Sequence, residues 1–263
     1  MVPNTNFGGI PLTRRLKRSS RANPREDRNY ENPRSSRNNV IELDQFSSKS
    51  AKQKKVELIP RNVNQEIYIE YLENPDINIV FAAGSAGTGK SMLATLVAIQ
   101  ALKAGRVDKI IITRPAVSVD EQHGFLPGTL IEKMQPWVLT LLDYFHEYYS
   151  KKQVISMIED GIIDIVPLAF MRGRTFKNSF IIADEFQNAT PSQMKMLLTR
   201  IGDGSKIVVT GDINQHDRGF EQNGLKDILE RICGQRGLAV VQFSNKDIER
   251  HPIIDTILDM YED

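Results

Sequence analysis

A chain of 263 residues has room for one sizeable α/β domain with extensions, and two full domains would be tight. Its 40% apolar and 25% charged content is that of an ordinary globular protein, and no apolar run approaches the ~18 residues of a membrane span, so a cytoplasmic location is expected. The lone Cys233 excludes an internal disulfide, and His123, His146, His216 and His251 are scattered without ligand spacing, so no structural metal is implied.

The net charge of +1 conceals an asymmetry. Residues 1–55 carry 13 Lys and Arg against 5 Asp and Glu, a net +8, whereas residues 56–263 carry 21 against 28, a net −7. The first stretch is dominated by Asn, Ser, Arg and Pro, as in Arg21-Ala22-Asn23-Pro24-Arg25, and has almost no hydrophobic periodicity. Such a segment cannot offset its ordering entropy, so 1–55 is expected to be a disordered basic tail. Its cluster Arg14-Arg15-Leu16-Lys17-Arg18 suits electrostatic contact with nucleic-acid phosphate, although a solvated tail that aids solubility also explains it. Residues 2–13 lack the apolar core of about 7–15 residues that marks a secretory signal, and Glu26, Asp27 and Glu31 argue against an organellar transit peptide.

The body begins with a short helix from Arg61 to Leu72, with Ile67, Tyr68, Tyr71 and Leu72 on one face and Asn74-Pro75 as its stop. Asn62 is placed to cap it, with Gln65 three residues on as the capping partner. The β-branched run from Ile77 to Ala83 then reads as a strand. It feeds Gly84-Ser85-Ala86-Gly87-Thr88-Gly89-Lys90-Ser91, which matches G-x-x-x-x-G-K-[ST] at every fixed position, and the helix-forming run from Met92 to Ile99 follows. This is the strand–loop–helix setting of a P-loop. Its glycines let backbone N–H groups close around phosphate oxygens at a helix N-terminus, Lys90 reaches the β- and γ-phosphates, and Ser91 ligates Mg²⁺.

After that helix ends near Gly105, Val107 to Pro115 is a buried strand emerging into a polar loop, with Thr113 and Arg114 at its C-terminal end, where open parallel sheets place ligands. The loop from Val119 to Gly128 has no clear period. Leu130, Met134, Trp137, Val138, Leu141, Leu142, Phe145, Tyr148 and Tyr149 recur at helical spacing, with Pro136 forcing a kink or a fresh start. This aromatic stripe reads as core rather than as a base-stacking platform. Further strands are expected at Ile162 to Val166, Ser179 to Ala183, Lys206 to Thr210 and Leu238 to Phe243. Thr190-Pro191-Ser192-Gln193 opens a helix that continues to Gly202, and others span Gly224 to Cys233 and Pro252 to Tyr261. The alternation predicts an α/β fold with a mostly parallel sheet and helices on both faces.

Two strand ends add chemistry to the P-loop. Phe180-Ile181-Ile182-Ala183 runs into Asp184-Glu185, which supplies a Mg²⁺ ligand in Asp184 and, in Glu185, a carboxylate able to orient or deprotonate an attacking water. Thr210-Gly211-Asp212 leads to Gln215, which either senses the γ-phosphate or its attacking water, or belongs to a solvated turn.

Together these residues resemble the PhoH-like family of P-loop ATPases, which look like the first RecA-like domain of superfamily 1 helicases. The resemblance rests on Gly84–Ser91, Thr113-Arg114-Pro115, Gly124-Phe125-Leu126-Pro127-Gly128, Met171-Arg172-Gly173-Arg174-Thr175-Phe176, Asp184-Glu185-Phe186-Gln187-Asn188, Thr210-Gly211-Asp212 with Gln215, and Arg250-His251-Pro252. It runs from about Arg61 to Asp263, so residues 56–263 are expected to form one PhoH-like ATPase domain. It implies a RecA-like fold, ATP and Mg²⁺ as ligands, and an oligomeric motor, often a ring, related to helicases that act on RNA or single-stranded DNA. In helicase-like NTPases a glutamine upstream of the P-loop strand reads the adenine edge, which makes Gln65 a candidate base reader alongside its capping role. Family members with a ribonuclease-type domain carry over a hundred residues before the ATPase; the short tail here gives no expectation of nuclease activity. With no second RecA-like domain expected after Asp263, the arginine that stabilises the transition state must come from within the domain or from another copy. Arg250 and Arg174 are the candidates, Arg172 a weaker one, and a surface ion pair is the alternative for each. The competing reading is a nucleotide-dependent switch or adaptor that controls protein assembly.

Overall fold

The computed structural model describes residues 54–115, 130–215 and 222–249, together with Ile253 and Met260, the side chains of 130–137 excepted. In chain order the elements are α1 (Val63–Glu73), β1 (Ile79–Gly84), α2 (Lys90–Lys103), β2 (Lys109–Thr113), α3 (Leu130–His146) and α4 (Lys151–Glu159), followed by β3 (Ile163–Ile165), β4 (Ser179–Ala183), α5 (Pro191–Leu198), β5 (Lys206–Gly211), α6 (Gly224–Arg231) and β6 (Leu238–Phe243). Short 3-10 turns occupy Leu168–Met171, Phe186–Asn188 and Asn245–Asp247. The expectations for residues 1–53 of the tail, for the loop at 119–128, for Arg250 and for nearly all of the last helix fall outside the described residues.

All six strands among the described residues run parallel, in the order β3-β2-β4-β5-β1-β6. The α/β architecture expected from the sequence, a parallel sheet with helices on both faces, is the one observed. Its order matters for the site: β1, which enters the P-loop, and β4, which ends before Asp184, are separated by β5. In a parallel sheet all C-terminal strand ends share one edge, so the P-loop, Asp184-Glu185 and Gly211-Asp212 meet there.

Successive strand residues point to opposite faces, and both faces are covered. On one, Val80, Ala82, Ile110, Ile112, Phe180, Ile182 and Val208 pack with Tyr68, Leu93, Val97, Leu141, Phe145 and Val154 from α1 to α4. On the other, Phe81, Ala83, Ile111, Ile181 and Val209 pack with Phe186, Met194, Leu197 and Leu225. Each large apolar side chain so buried contributes about 1.5–3 kcal/mol relative to exposure, which is why these strands are continuous hydrophobic runs.

Local signals set most boundaries. The Thr190 capping box with Pro191 at the first helical position starts α5 as expected. In α1, Asn62 accepts from Gln65 N at 2.9 Å, but Gln65 Oε1 reaches back to Arg61 N rather than to Asn62. The buried face of α1 is also rotated from the expected one, to Gln65, Tyr68, Ile69 and Leu72. Pro136 neither ends nor restarts α3, which is a single helix from Leu130 to His146. Helix α4 was not foreseen, although Ser150 and Gln153 form a capping box and Val154, Met157 and Ile158 pack on the core at helical spacing.

Candidate nucleotide-binding site

The P-loop is shaped by what glycine permits. Gly84 stands at φ +139, and a Cβ there would run into the Phe243 carbonyl oxygen of the neighbouring strand. Gly89, at φ +82, caps α2 with no side-chain hydrogen bond, so the first N–H groups of that helix are left for an anion. Lys90 Nζ donates to Gly84 O at 2.7 Å, Ser85 O at 2.6 Å and Thr88 Oγ1 at 3.2 Å. Burial lowers the Lys90 pKa, and the carboxylates of Asp212, Glu185 and Asp184 act in the opposite sense.

The loop is braced from behind. Gln65, 1% exposed, donates from Nε2 to Thr88 O at 3.1 Å. Ser85 Oγ donates to Asn245 Oδ1 at 2.5 Å and Glu249 N to Gly87 O at 3.0 Å, which ties the segment after β6 to the P-loop. Asp247 accepts from Asn64 Nδ2 at 2.9 Å and so joins that segment to α1.

Across the cleft, Asp184 Oδ1 accepts from Ser91 Oγ at 2.7 Å and from Thr210 Oγ1 at 2.5 Å. A hydroxyl and a carboxylate in direct contact are oxygen donors of the kind a hard divalent cation takes, so the chemistry of Ser91 and Asp184 is compatible with Mg²⁺. Glu185 follows in the left-handed region at φ +56, a conformation that costs a residue with a Cβ and recurs at functional sites. Its Oε2 accepts from Gln187 Nε2 at 2.6 Å. Asp212 is buried, and its turn is closed by Gln215 N donating to Asp212 O at 3.0 Å. A cleft of about 210 Å³ is lined by the loop from Ala86 to Ser91 and by Tyr144, Asp184, Glu185, Asp212 and Gln215.

Lys90, Ser91, Asp184, Glu185 and Gln215 are thus brought to one cavity. Gln65 is not: it does not line the cleft, and its amide is paired at both ends behind the P-loop. Arg174 also lies elsewhere, paired with Asp164 at 3.0 Å and stacked 4.7 Å from the Phe176 ring centroid, while Arg172 borders a separate surface hollow with Ser192 and Gln193. Thr113 is wholly buried, with Oγ1 lacking a hydrogen-bond partner, and Arg114 after it is half-buried and does not line the cleft. One cleft-lining residue, Tyr144, and two that hydrogen-bond to the lining, Thr210 and Gln187, escaped the sequence reading. Tyr144 falls out of step with the apolar stripe of α3, and burial, then Glu147, Asp143 and Asp184, raise its phenol pKa. Thr210 looked like the last residue of a strand, and Gln187 carried no role of its own.

The family described as PhoH-like protein matches residues 57–262. The chain belongs to the PhoH-like family. A PhoH-like protein of Bacillus subtilis is 41% identical over 230 residues, covering 84% of this chain and 70% of that relative. One of Mycobacterium tuberculosis is 44% identical over 207 residues, covering 77% of this chain and 57% of its own length. The chain therefore spans little more than half of some PhoH-like relatives. Among solved structures, a Pif1 helicase from Candida albicans aligns over 77% of this chain and 44% of its own at 15% identity, with a TM-score of 0.38, too distant to carry an argument. Family membership and the cleft together make this a nucleotide-binding protein of ATPase type, and among the described residues no helix is long and apolar enough to cross a membrane.

Proposed function

We propose that this PhoH-like chain hydrolyses ATP with Mg²⁺ and acts on RNA or single-stranded nucleic acid as a homo-oligomer, with a ring as the expected form. The observation that carries the hydrolytic part is the convergence of Lys90, the Ser91–Asp184 contact and Glu185 on one cleft at the C-terminal edge of the sheet. Lys90 and the uncapped N-terminus of α2 hold the phosphates, at the P-loop formed by Gly84, Ser85, Ala86, Gly87, Thr88, Gly89, Lys90 and Ser91. Ser91 and Asp184 hold Mg²⁺, which when bound neutralises charge developing on the β- and γ-oxygens. Glu185 orients and deprotonates the attacking water, and Gln215 hydrogen-bonds that water or the γ-phosphate. Gln65 serves to brace the loop.

The nucleic-acid part rests on local positive charge, since the body as a whole is acidic. Arg114 at the end of β2, Arg172 and the basic residues of 1–55 are its supports. The transition-state arginine is assigned to another copy, through Arg250 or Arg174.

The test is ATP turnover with and without RNA and single-stranded DNA. Lys90→Ala is expected to abolish turnover, and Glu185→Gln to lower kcat by about 100-fold or more while nucleotide still binds. Stimulation by nucleic acid should weaken steeply with salt, as phosphate contacts require. Turnover that survives Lys90→Ala overturns the hydrolytic reading; indifference to nucleic acid combined with ATP-dependent assembly favours a switch or adaptor.

A further inference from the structure

Gln187 has no part in the reaction outlined above, yet it is 1% exposed and its amide spans two pieces of the cleft. Nε2 donates to Glu185 Oε2 at 2.6 Å, while Oε1 accepts from Asp212 N at 3.2 Å. The chemistry on either side fixes the orientation of the amide, because a carboxylate demands a donor and a backbone N–H demands an acceptor. Space fixes it as well. A Cβ on Gly211 would come within 2.7 Å of Gln187 Oε1 and 2.8 Å of Leu225 Cδ2, so β5 ends in the one residue type that admits the bridge.

Both ends of the bridge reach parts that need holding. Glu185 occupies the left-handed region, a conformation that persists only where its surroundings over-determine it. Asp212 opens the turn that its carbonyl closes with Gln215 N, and its side chain accepts from Asn214 N at 3.0 Å. The bond to Oε2 also restrains the Glu185 carboxylate and leaves Oε1 clear of this amide.

We infer that Gln187 is a positioning residue that holds the Glu185 carboxylate and the Asp212–Gln215 turn in fixed relation, so that the water-activating group and the phosphate-facing glutamine are set as one unit. The inference rests on the hydrolytic reading for its consequence, but the bridge is testable without it.

Two variants of the full chain separate its ends. Gln187→Met keeps length and removes both hydrogen bonds. Gln187→Glu keeps an acceptor for Asp212 N and sets a like charge against Glu185. Both should lower kcat by about 10- to 1000-fold, with KM and the Kd of a fluorescent ATP analogue within about threefold of the parent chain. Amide hydrogen exchange over Gly211–Gln215 should accelerate in Gln187→Met and stay near the parent's in Gln187→Glu. A kcat within about twofold of the parent in both variants overturns the inference, as does a parallel fall in kcat, nucleotide affinity and thermal midpoint, the mark of a merely structural residue. If the parent turns over no ATP, the hydrolytic reading fails and the exchange measurement alone decides: unchanged protection over Gly211–Gln215 in Gln187→Met removes the bridge.

Discussion

Asp184 takes its orientation from two hydroxyls that sit on different elements, Ser91 on α2 and Thr210 on β5. The P-loop pattern announces the first, but nothing in the sequence announces the second. Replacing Thr210 with Val conserves shape and deletes the donor, so one carboxylate oxygen loses half of its protein partners. Partners of metal ligands typically tune affinity 10- to 100-fold, and Thr210→Val is expected to raise the Mg²⁺ concentration for half-maximal ATP turnover by about 10-fold. Titrating Mg²⁺ at saturating ATP checks this, with unfolding monitored to show that the core, where Thr210 is 1% exposed, stays intact. The residues legible in the sequence are those whose chemistry is tied to a local pattern: Lys90 and Ser91 by the glycine spacing, Asp184 and Glu185 by an apolar run that ends in acid. Thr210, Gln187 and Tyr144 act through contacts between segments, and periodicity carries no trace of such contacts. Gln65 shows the converse, since its spacing suited both capping and base reading, and the P-loop carbonyl of Thr88 claims its amide.

Helix α1 ends against the sheet with its last carbonyls met by a side chain from β5. Lys206 Nζ donates to Tyr71 O at 3.0 Å and Asn74 O at 2.7 Å, a C-terminal cap supplied from 132 residues away. Burial, with Arg106 nearby, pushes the Lys206 pKa down from its usual 10.5 to about 8. Below that value the amine is charged both folded and unfolded; between about 8 and 10.5 the unfolded chain holds a proton that the folded chain has released. Lys206 therefore makes the folded state gain stability as pH rises through that window. Urea unfolding of parent and Lys206→Met chains across it should show the difference, parent minus variant, increasing with pH; a flat or falling difference contradicts the assignment. Most elements were readable because buried parallel strands are unbroken apolar runs. The exception is α4, whose capping box at Ser150 and Gln153 and whose apolar Val154, Met157 and Ile158 at helical spacing stand in a nine-residue element between the long stripe of α3 and β3.

At the scale of the molecule, the sheet order sets three strand ends side by side at one edge, where an arginine from another surface is proposed to complete the site. If that surface is a second copy, inactive chains with complementary lesions should repair one another. Lys90→Ala and Arg250→Ala, each inactive alone, are expected to recover part of the ATPase activity when co-assembled, at most about one quarter of the parent's for randomly mixed neighbours. Absence of any recovery in mixed assemblies of verified composition argues against a shared site. The insertion of β5 between β1 and β4 has a further consequence, in time rather than in space. The Ser91–Asp184 contact closes 93 residues of chain, and Thr210 joins it from 26 residues later still. Closing loops of that length and pairing strands in parallel are slow steps in folding. A chain emerging from synthesis therefore carries the P-loop sequence long before it carries either a complete magnesium site or the Phe243–Glu249 segment that braces the loop, and a complete cleft comes only with the finished sheet.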